Sequence, residues 1–270
     1  MSRGGKGANQ AVAARRLGAE VRVLACVGDD PSGREIRAAL EHEGIGVAGV
    51  ATTDRAATGT ALIVVDAEGR NAIAVAPGAN RELTVEMAER RREDLAWADI
   101  VMCQLETPIA TVAWVLGEGR RHGRVTLLNP APMRDEAHEL IPLADYLTPN
   151  ETEIERLAGV AVRDTGSAAA AARALRRRGA GTVIVTLGAQ GAFAVGPAGD
   201  VYAPAFPVAV VDTTAAGDAF NAGLAVALGE ARALPDALRF ASATAALACT
   251  RRGAQPSLPR RAEVETLLGT

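Results

Sequence analysis

The feature of this sequence best suited to chemistry is a carboxylate in the first turn of a long helix, behind a run of small residues. It lies in Val211-Asp212-Thr213-Thr214-Ala215-Ala216-Gly217-Asp218-Ala219-Phe220, where a β-rich stretch ends and a helix opens. Small residues at such a junction let backbone N–H groups face a ligand, and the helix dipole adds partial positive charge. That suits a phosphoryl group in transfer, whose charge spreads over its equatorial oxygens. Asp218 could take the proton of an attacking hydroxyl. An acid in a first helical turn is equally favourable without any reaction.

Three further segments carry polar groups at useful places. Gly4-Gly5-Lys6-Gly7-Ala8-Asn9-Gln10 runs straight into a helix. Its paired glycines allow close approach of backbone to a ligand, and Lys6, Asn9 and Gln10 offer donors to hydroxyls. A flexible terminus would read the same way. Glu106 follows the apolar run Ile100-Val101-Met102-Cys103, either binding a sugar hydroxyl or opening the next helix. In Thr148-Pro149-Asn150-Glu151-Thr152-Glu153, Asn150 and Glu153 are three apart on one helical face. They could orient a hydrated Mg²⁺ near phosphates, or form a capping box.

Other chemistries lack support. There is no G-x-x-x-x-G-K-[ST], and no G-x-G-x-x-G follows a strand, which removes the main case for a P-loop ATPase or a dinucleotide dehydrogenase. Cys26, Cys103 and Cys249 are scattered in apolar runs, as buried thiols are, and His42, His122 and His138 have no metal-binding spacing. The formal charge of −3 gives no basic field for nucleic acid or anionic membrane. Arg90-Arg91-Arg92 and Arg176-Arg177-Arg178 read as solvated helix faces. Without a leader-like or membrane-spanning run, the expected location is the cytoplasm.

The elements that must position these residues alternate along the 270-residue chain, whose 49% hydrophobic content supports a well-buried core. Helices are predicted over 8–17, 33–43, 84–95, 108–122, 150–158, 167–178, 215–229 and 234–250. Strands are predicted over 21–27, 99–103, 125–128, 145–148 and 182–187, with a β cluster over 192–211. Two β-rich runs, 60–66 and 71–76, flank Ala67-Glu68-Gly69-Arg70 and predict a hairpin. Apolar strands such as 182–187 suit a sheet covered on both faces. The pattern predicts an α/β fold, an open and mostly parallel sheet with helices on both faces, plus a small β flap over about 58–77. Ligands of such sheets sit beyond the carboxyl ends of the strands.

Together these segments resemble the ribokinase-like (PfkB) carbohydrate kinase family over essentially the whole chain. The resemblance is carried by the Gly4 to Ala11 run, Gly28-Asp29-Asp30, Asn129-Pro130-Ala131-Pro132, Thr148 to Glu153, Asp212 to Asp218 and Arg252-Gly253-Ala254-Gln255-Pro256-Ser257, in family order. It implies ATP-dependent phosphorylation of ribose at the 5-hydroxyl, with Mg²⁺ accompanying ATP and K⁺ as activator. By this resemblance Asp218 is the general base, and the N–H groups of Ala215, Ala216 and Gly217 form the anion hole. Gly5, Lys6, Gly7, Ala8, Asn9 and Glu106 hold the sugar, while Asn150 and Glu153 serve ATP phosphates and Mg²⁺. Thr186, Leu187, Gly188, Ala189, Gln190 and Gly191 form the nucleotide loop, and Ser242 is a further nucleotide contact. The monovalent cation falls to Asp212, Thr214, Ala248, Arg251, Gly253 and Ser257, several through carbonyl oxygens, in keeping with the taste of hard cations for oxygen.

The chain departs from the family at its start. Members begin with a central strand ending in a Gly-Ser/Asn-x-x-x-Asp-like motif that binds sugar hydroxyls, whereas here Met1-Ser2-Arg3 directly precedes the glycine pair. The expectation is a sheet with unpaired backbone edges, weaker sugar binding and a weakened case for the family's lid-mediated homodimer. A start site set too late would explain this. Competing readings are a sister kinase for deoxyribose, fructose or a nucleoside, and an inactive truncated remnant.

Overall fold

The computed structural model describes residues 4–65 and 71–269. The chain forms α1 (Lys6–Arg16), β1 (Arg22–Gly28), α2 (Pro31–His42) and β2 (Gly46–Thr53), then the antiparallel pair β3 (Thr60–Val65) and β4 (Asn71–Ala76). Next come α3 (Val85–Glu89), α4 (Arg92–Trp97), β5 (Ile100–Cys103), α5 (Ile109–Arg121), β6 (Val125–Leu128) and β7 (Tyr146–Leu147). They lead to α6 (Glu151–Ala158), α7 (Thr165–Arg177), β8 (Thr182–Thr186), β9 (Ala192–Gly196) and β10 (Gly199–Ala203). Three helices follow: α8 (Ala216–Gly229), α9 (Leu234–Ala248) and α10 (Arg261–Leu268).

The main sheet has six strands in the order β10-β9-β8-β7-β6-β5. β5 to β8 run parallel, whereas β9 and β10 add antiparallel strands at one edge. β8 is buried along nearly its whole length, as a strand with helices on both faces must be. β1 and β2 form a separate parallel pair. A groove of 590 Å³ lies between β1 and β5, lined by Val23, Leu24, Val101, Met102, Ala225 and Val226. Arg22 spans one end of it, donating to Asp94 Oδ1 at 2.9 Å with its guanidinium 3.8 Å over the Trp97 ring. Among the described residues β1 pairs only with β2 and β5 only with β6, so each leaves a backbone edge toward the groove.

Two cores flank the main sheet. One gathers α1, α8 and α9 around Leu17, Leu224, Leu238 and Phe240; the other gathers α5, α6 and α7 around Leu116, Ile154 and Leu175. α8 is Ala- and Gly-rich and buried almost all round, which brings α1 and α9 close to it.

The elements depart from the sequence expectation in three places. β2 is an unforeseen strand, because Gly46-Val47-Ala48-Gly49 has little β-propensity. Packing demands the glycine at 49: a Cβ there would lie 2.6 Å from both the Leu24 side chain and the Val23 carbonyl. The helix expected over 84–95 is two short ones, broken at Arg90-Arg91. The β cluster over 192–211 ends at Ala203, where Pro204 and Pro207 remove the donors a further strand would need. The turn expected over 67–70 lies outside the described residues.

Asp30 fixes where the β3–β4 hairpin springs from the body. Its carboxylate caps α2 through Gly33 N–H at 2.7 Å, and accepts the Thr58 N–H at 2.7 Å and the Thr58 hydroxyl at 2.8 Å. The Thr58 amide, then that of Gly33, holds this carboxyl below the usual range. Replacing Asp30 with Ala should therefore free the hairpin root while leaving the cores intact. Hydrogen exchange should accelerate at Thr58 and at the start of α2; unchanged protection at both would show that the clamp is dispensable.

Candidate active site

The site forms where the N-termini of α1, α6 and α8 meet the carboxyl ends of β5 and β7. At the head of α8, Ala215 adopts a left-handed conformation (φ 61°) and Asp218 is only 5% exposed. Asn9 Nδ2 donates to Asp218 Oδ2 at 2.8 Å, and Gln10 Nε2 donates to Asp218 Oδ1 at 3.0 Å. Both donors come from α1, consecutive residues on the face packed against α8. Burial pushes the Asp218 carboxyl above the ordinary range; the Lys6 charge, Asn9 and Gln10 oppose that. The result is a carboxylate short of solvent but supplied with donors, which suits proton acceptance.

Lys6 opens α1, and Gly5 before it has φ 92°, a conformation glycine takes without strain. That turn aims the Lys6 N–H at Glu106 Oε2, 2.8 Å away. Burial raises the Glu106 carboxyl, Lys6 opposes the rise, and the Asp218 charge adds to it. Glu153 is likewise raised by burial and opposed by the Asn150 N–H and the Lys6 charge. One ammonium thus acts on carboxylates from three separate elements. A Cβ at Gly7 would lie 3.2 Å from Gln104 Oε1, so the glycine lets the helix start lie close to the end of β5.

Asn150 and Glu153 form the capping box: Glu153 N–H donates to Asn150 Oδ1 at 2.8 Å, and Asn150 N–H to Glu153 Oε2 at 2.9 Å. The head of α6 is therefore built by these groups whatever else they do. The Thr186 N–H donates to the Pro149 carbonyl at 3.0 Å, which sets the 186–191 turn beside α6. Within that turn Leu187 N–H closes on the Gly191 carbonyl at 2.7 Å, and the Tyr202 hydroxyl donates to Gln190 at 2.8 Å. Leu187 is buried, while Gly188, Ala189 and Gln190 are exposed. Ser242 lies on α9 with its hydroxyl buried and unpartnered among the described residues.

Asp212 joins two loops. Oδ1 accepts the Thr214 N–H at 2.9 Å and its hydroxyl at 2.7 Å; Oδ2 accepts the Gly253 N–H at 2.8 Å. Nearby, Ala248 is fully buried, the Ser257 hydroxyl donates to Ala254 O at 2.8 Å, and the Arg251 side chain pairs with Glu263. Arg251 can thus offer this region only its backbone. In the segment expected to form the anion hole, the Ala216 N–H turns back to Thr213 O at 3.2 Å, so that amide is internally engaged. No group of three or more His, Cys, Asp or Glu able to hold a metal occurs among the described residues.

Several polar residues here were not assigned a role from sequence. Asn129 Nδ2 donates to the Thr148 carbonyl at 3.3 Å, the Thr148 hydroxyl donates to Asn221 Oδ1, and Asn221 Nδ2 donates to Gly217 O at 2.8 Å. Asn221, 1% exposed inside an otherwise apolar helix, was the available signal.

A mostly parallel α/β sheet with a buried carboxylate at a helix head puts a candidate proton acceptor where such sheets bind their ligands, beyond the strand ends. The sequence matches the pfkB family carbohydrate kinase over residues 1–261. Ribokinase of Haemophilus influenzae is 42% identical over 260 residues, covering 96% of this chain and 85% of that protein. Deoxyribokinase of Salmonella typhimurium is 38% identical over 257 residues, 95% of this chain and 84% of its own length. The structure of Arabidopsis thaliana ribokinase complexed with ribose and ATP superposes with a TM-score of 0.93 at 32% identity, covering 99% of this chain and 88% of that one. The chain belongs to the pfkB family of carbohydrate kinases and is an ATP-dependent carbohydrate kinase.

The Asp212 link yields a prediction about stability. The Gly253 N–H first, then Thr214, hold its carboxyl below the usual range. A depressed folded-state value contributes stability above the unfolded carboxylate range and loses it as pH falls through the folded value. Asp212→Ala should lower stability at neutral pH by about 1 kcal/mol. The gap to wild type should close as pH drops below ~4. A gap that stays constant across that range, measured by denaturant melts, would remove the assignment.

Proposed function

We propose that this kinase transfers the γ-phosphoryl group of ATP to the 5-hydroxyl of ribose, giving ribose 5-phosphate and ADP. The observation that carries this reading is the buried Asp218 carboxylate at the head of α8, held by Asn9 and Gln10 beside Lys6 and Glu106. Relatives named ribokinase, and one solved with ribose and ATP, support the choice of substrates.

In this reading the sugar lies over Gly5, Lys6, Gly7, Ala8 and Asn9, with Glu106 accepting from a hydroxyl. Asp218 removes the proton of the attacking hydroxyl as oxygen bonds to phosphorus, and ADP leaves with the bridging oxygen. The amides of Ala215 and Gly217 and the α8 dipole stabilise the charge on the transferring group. Ala216 adds its N–H on turning away from Thr213. ATP lies along Thr186 to Gly191, with Ser242 as a further contact.

Mg²⁺ bound to ATP would neutralise the phosphates. Glu153 fits that task, since one oxygen is spent on the cap and the other has no protein hydrogen bond among the described residues. K⁺ would be held by Asp212, kept ionised, with oxygens of Thr214, Ala248, Arg251, Gly253 and Ser257. That donor set is all oxygen, as a hard cation needs. The β3–β4 hairpin acts as a lid. The enzyme works in the cytoplasm; no described helix is long and apolar enough to cross a membrane.

Deoxyribose is a second reading, favoured by the Salmonella relative. Comparing kcat/KM for ribose and 2-deoxyribose decides between them. Asp218→Asn should lower kcat by at least ~10² while nucleotide affinity holds. Near-full turnover in that variant would reduce Asp218 to a helix-terminal residue. K⁺ should raise kcat well above Na⁺ at millimolar concentrations, and indifference to the ion would remove the cation site without touching the kinase assignment.

A further inference from the structure

We propose that Gln10 is the positioning residue for Asp218: its side-chain amide fixes the orientation of the carboxylate through a clamp shared with Asn129. The inference rests on Asp218 being the base.

Gln10 is fully buried, at 0% exposure. Its Nε2 carries two protons and meets two acceptors, Asp218 Oδ1 at 3.0 Å and Asn129 Oδ1 at 3.2 Å. Its Oε1 accepts from Gln104 Nε2. Every polar group of the amide is therefore matched, and the amide has one workable orientation. Turning it over would set Oε1 against two acceptors and face its NH₂ with the donor of Gln104. The acceptor on Asn129 is fixed in turn, because Asn129 Nδ2 donates to the Thr148 carbonyl. The Thr148 hydroxyl continues to Asn221, and Asn221 Nδ2 reaches the carbonyl of Gly217, the residue before Asp218. The network leaves Asp218 through its side chain and returns through the neighbouring backbone, so side chain and helix turn are held together.

Asn9 differs. It holds the other oxygen of Asp218, but its own Oδ1 is buried without a partner among the described residues. An amide with an unmet acceptor can regroup when a hydroxyl arrives, whereas the satisfied amide of Gln10 cannot do so without breaking two other bonds. The charged groups facing the carboxylate are Lys6 on α1 and Glu106 after β5, with Glu153 on α6 coupled through Lys6. Each of these lies where ligands arrive and can be redirected by them. Gln10 is the neutral donor on the protein side, and it stays when substrates come and go.

The test is Gln10→Met, which keeps length and removes both donors. Expected is a fall in kcat of about tenfold or more at neutral pH. The acid limb of the kcat–pH profile should move to higher pH, with KM for ATP unchanged, because a less well solvated carboxylate is harder to ionise. A merely structural role would lower the melting temperature without moving that limb. A folded Gln10→Met enzyme with wild-type kcat and acid limb overturns the proposal. If Gln10→Met does not fold, Gln104→Leu decides: Gln104 is itself only half-buried, and its loss removes the donor that anchors Gln10 Oε1, loosening the amide against Asp218. The limb should then move the same way by less, and an unmoved limb again overturns the proposal. Asp218→Asn keeps the two claims apart: turnover surviving there sinks the base assignment itself, whereas its loss beside a normal Gln10→Met sinks only the clamp.

Discussion

An ionisable carboxylate enclosed at the head of an apolar helix is the constraint on which the site depends. α8 is Ala- and Gly-rich and buried nearly all round, so Asp218 must find its solvation within the protein. That need is met by two consecutive amides on α1, which fixes how α1 crosses α8. The same crossing brings Lys6 and the Gly5 turn to Glu106. The position of Gly5, Lys6 and Glu106 and the solvation of Asp218 are one packing problem.

Polar residues elsewhere solve the related problem of joining elements without an apolar contact. Asp30 ties the hairpin root to α2, Asp212 ties the 212–214 turn to Gly253, and the Asn150–Glu153 box builds the head of α6. Each uses a carboxylate or amide oxygen to gather backbone N–H groups that would otherwise lack partners. In the Asn150–Glu153 box the cap occupies one carboxylate oxygen and leaves the other without a protein hydrogen bond among the described residues.

The groove between β1 and β5 divides the parallel strands into two sets. It is closed at one end by Arg22 with Asp94 and Trp97, and its other end approaches Gly7 and Gln104. Arg22 there ties β1 to α4 while the facing strand edges keep no backbone partner among the described residues, and β5 enters the site as the edge of its sheet.

Most elements, and the placing of a carboxylate in the first turn of a long helix, were legible in the residues themselves. Apolar runs such as 182–187 marked buried strands, and the small-residue run before Asp218 marked the head of a helix. These signals are local, and local patterns survive in sequence because period and propensity act within one element. What only the tertiary structure decided is non-local. β2 was invisible because its Gly49 answers to the side chain of Leu24 on another strand, not to β-propensity. Gln10 read as one more donor for a sugar until the fold set it between Asp218, Asn129 and Gln104, residues 208, 119 and 94 positions away. An amide's role is set by what it faces, and no spacing within one helix records which groups another helix and two loops will bring to it.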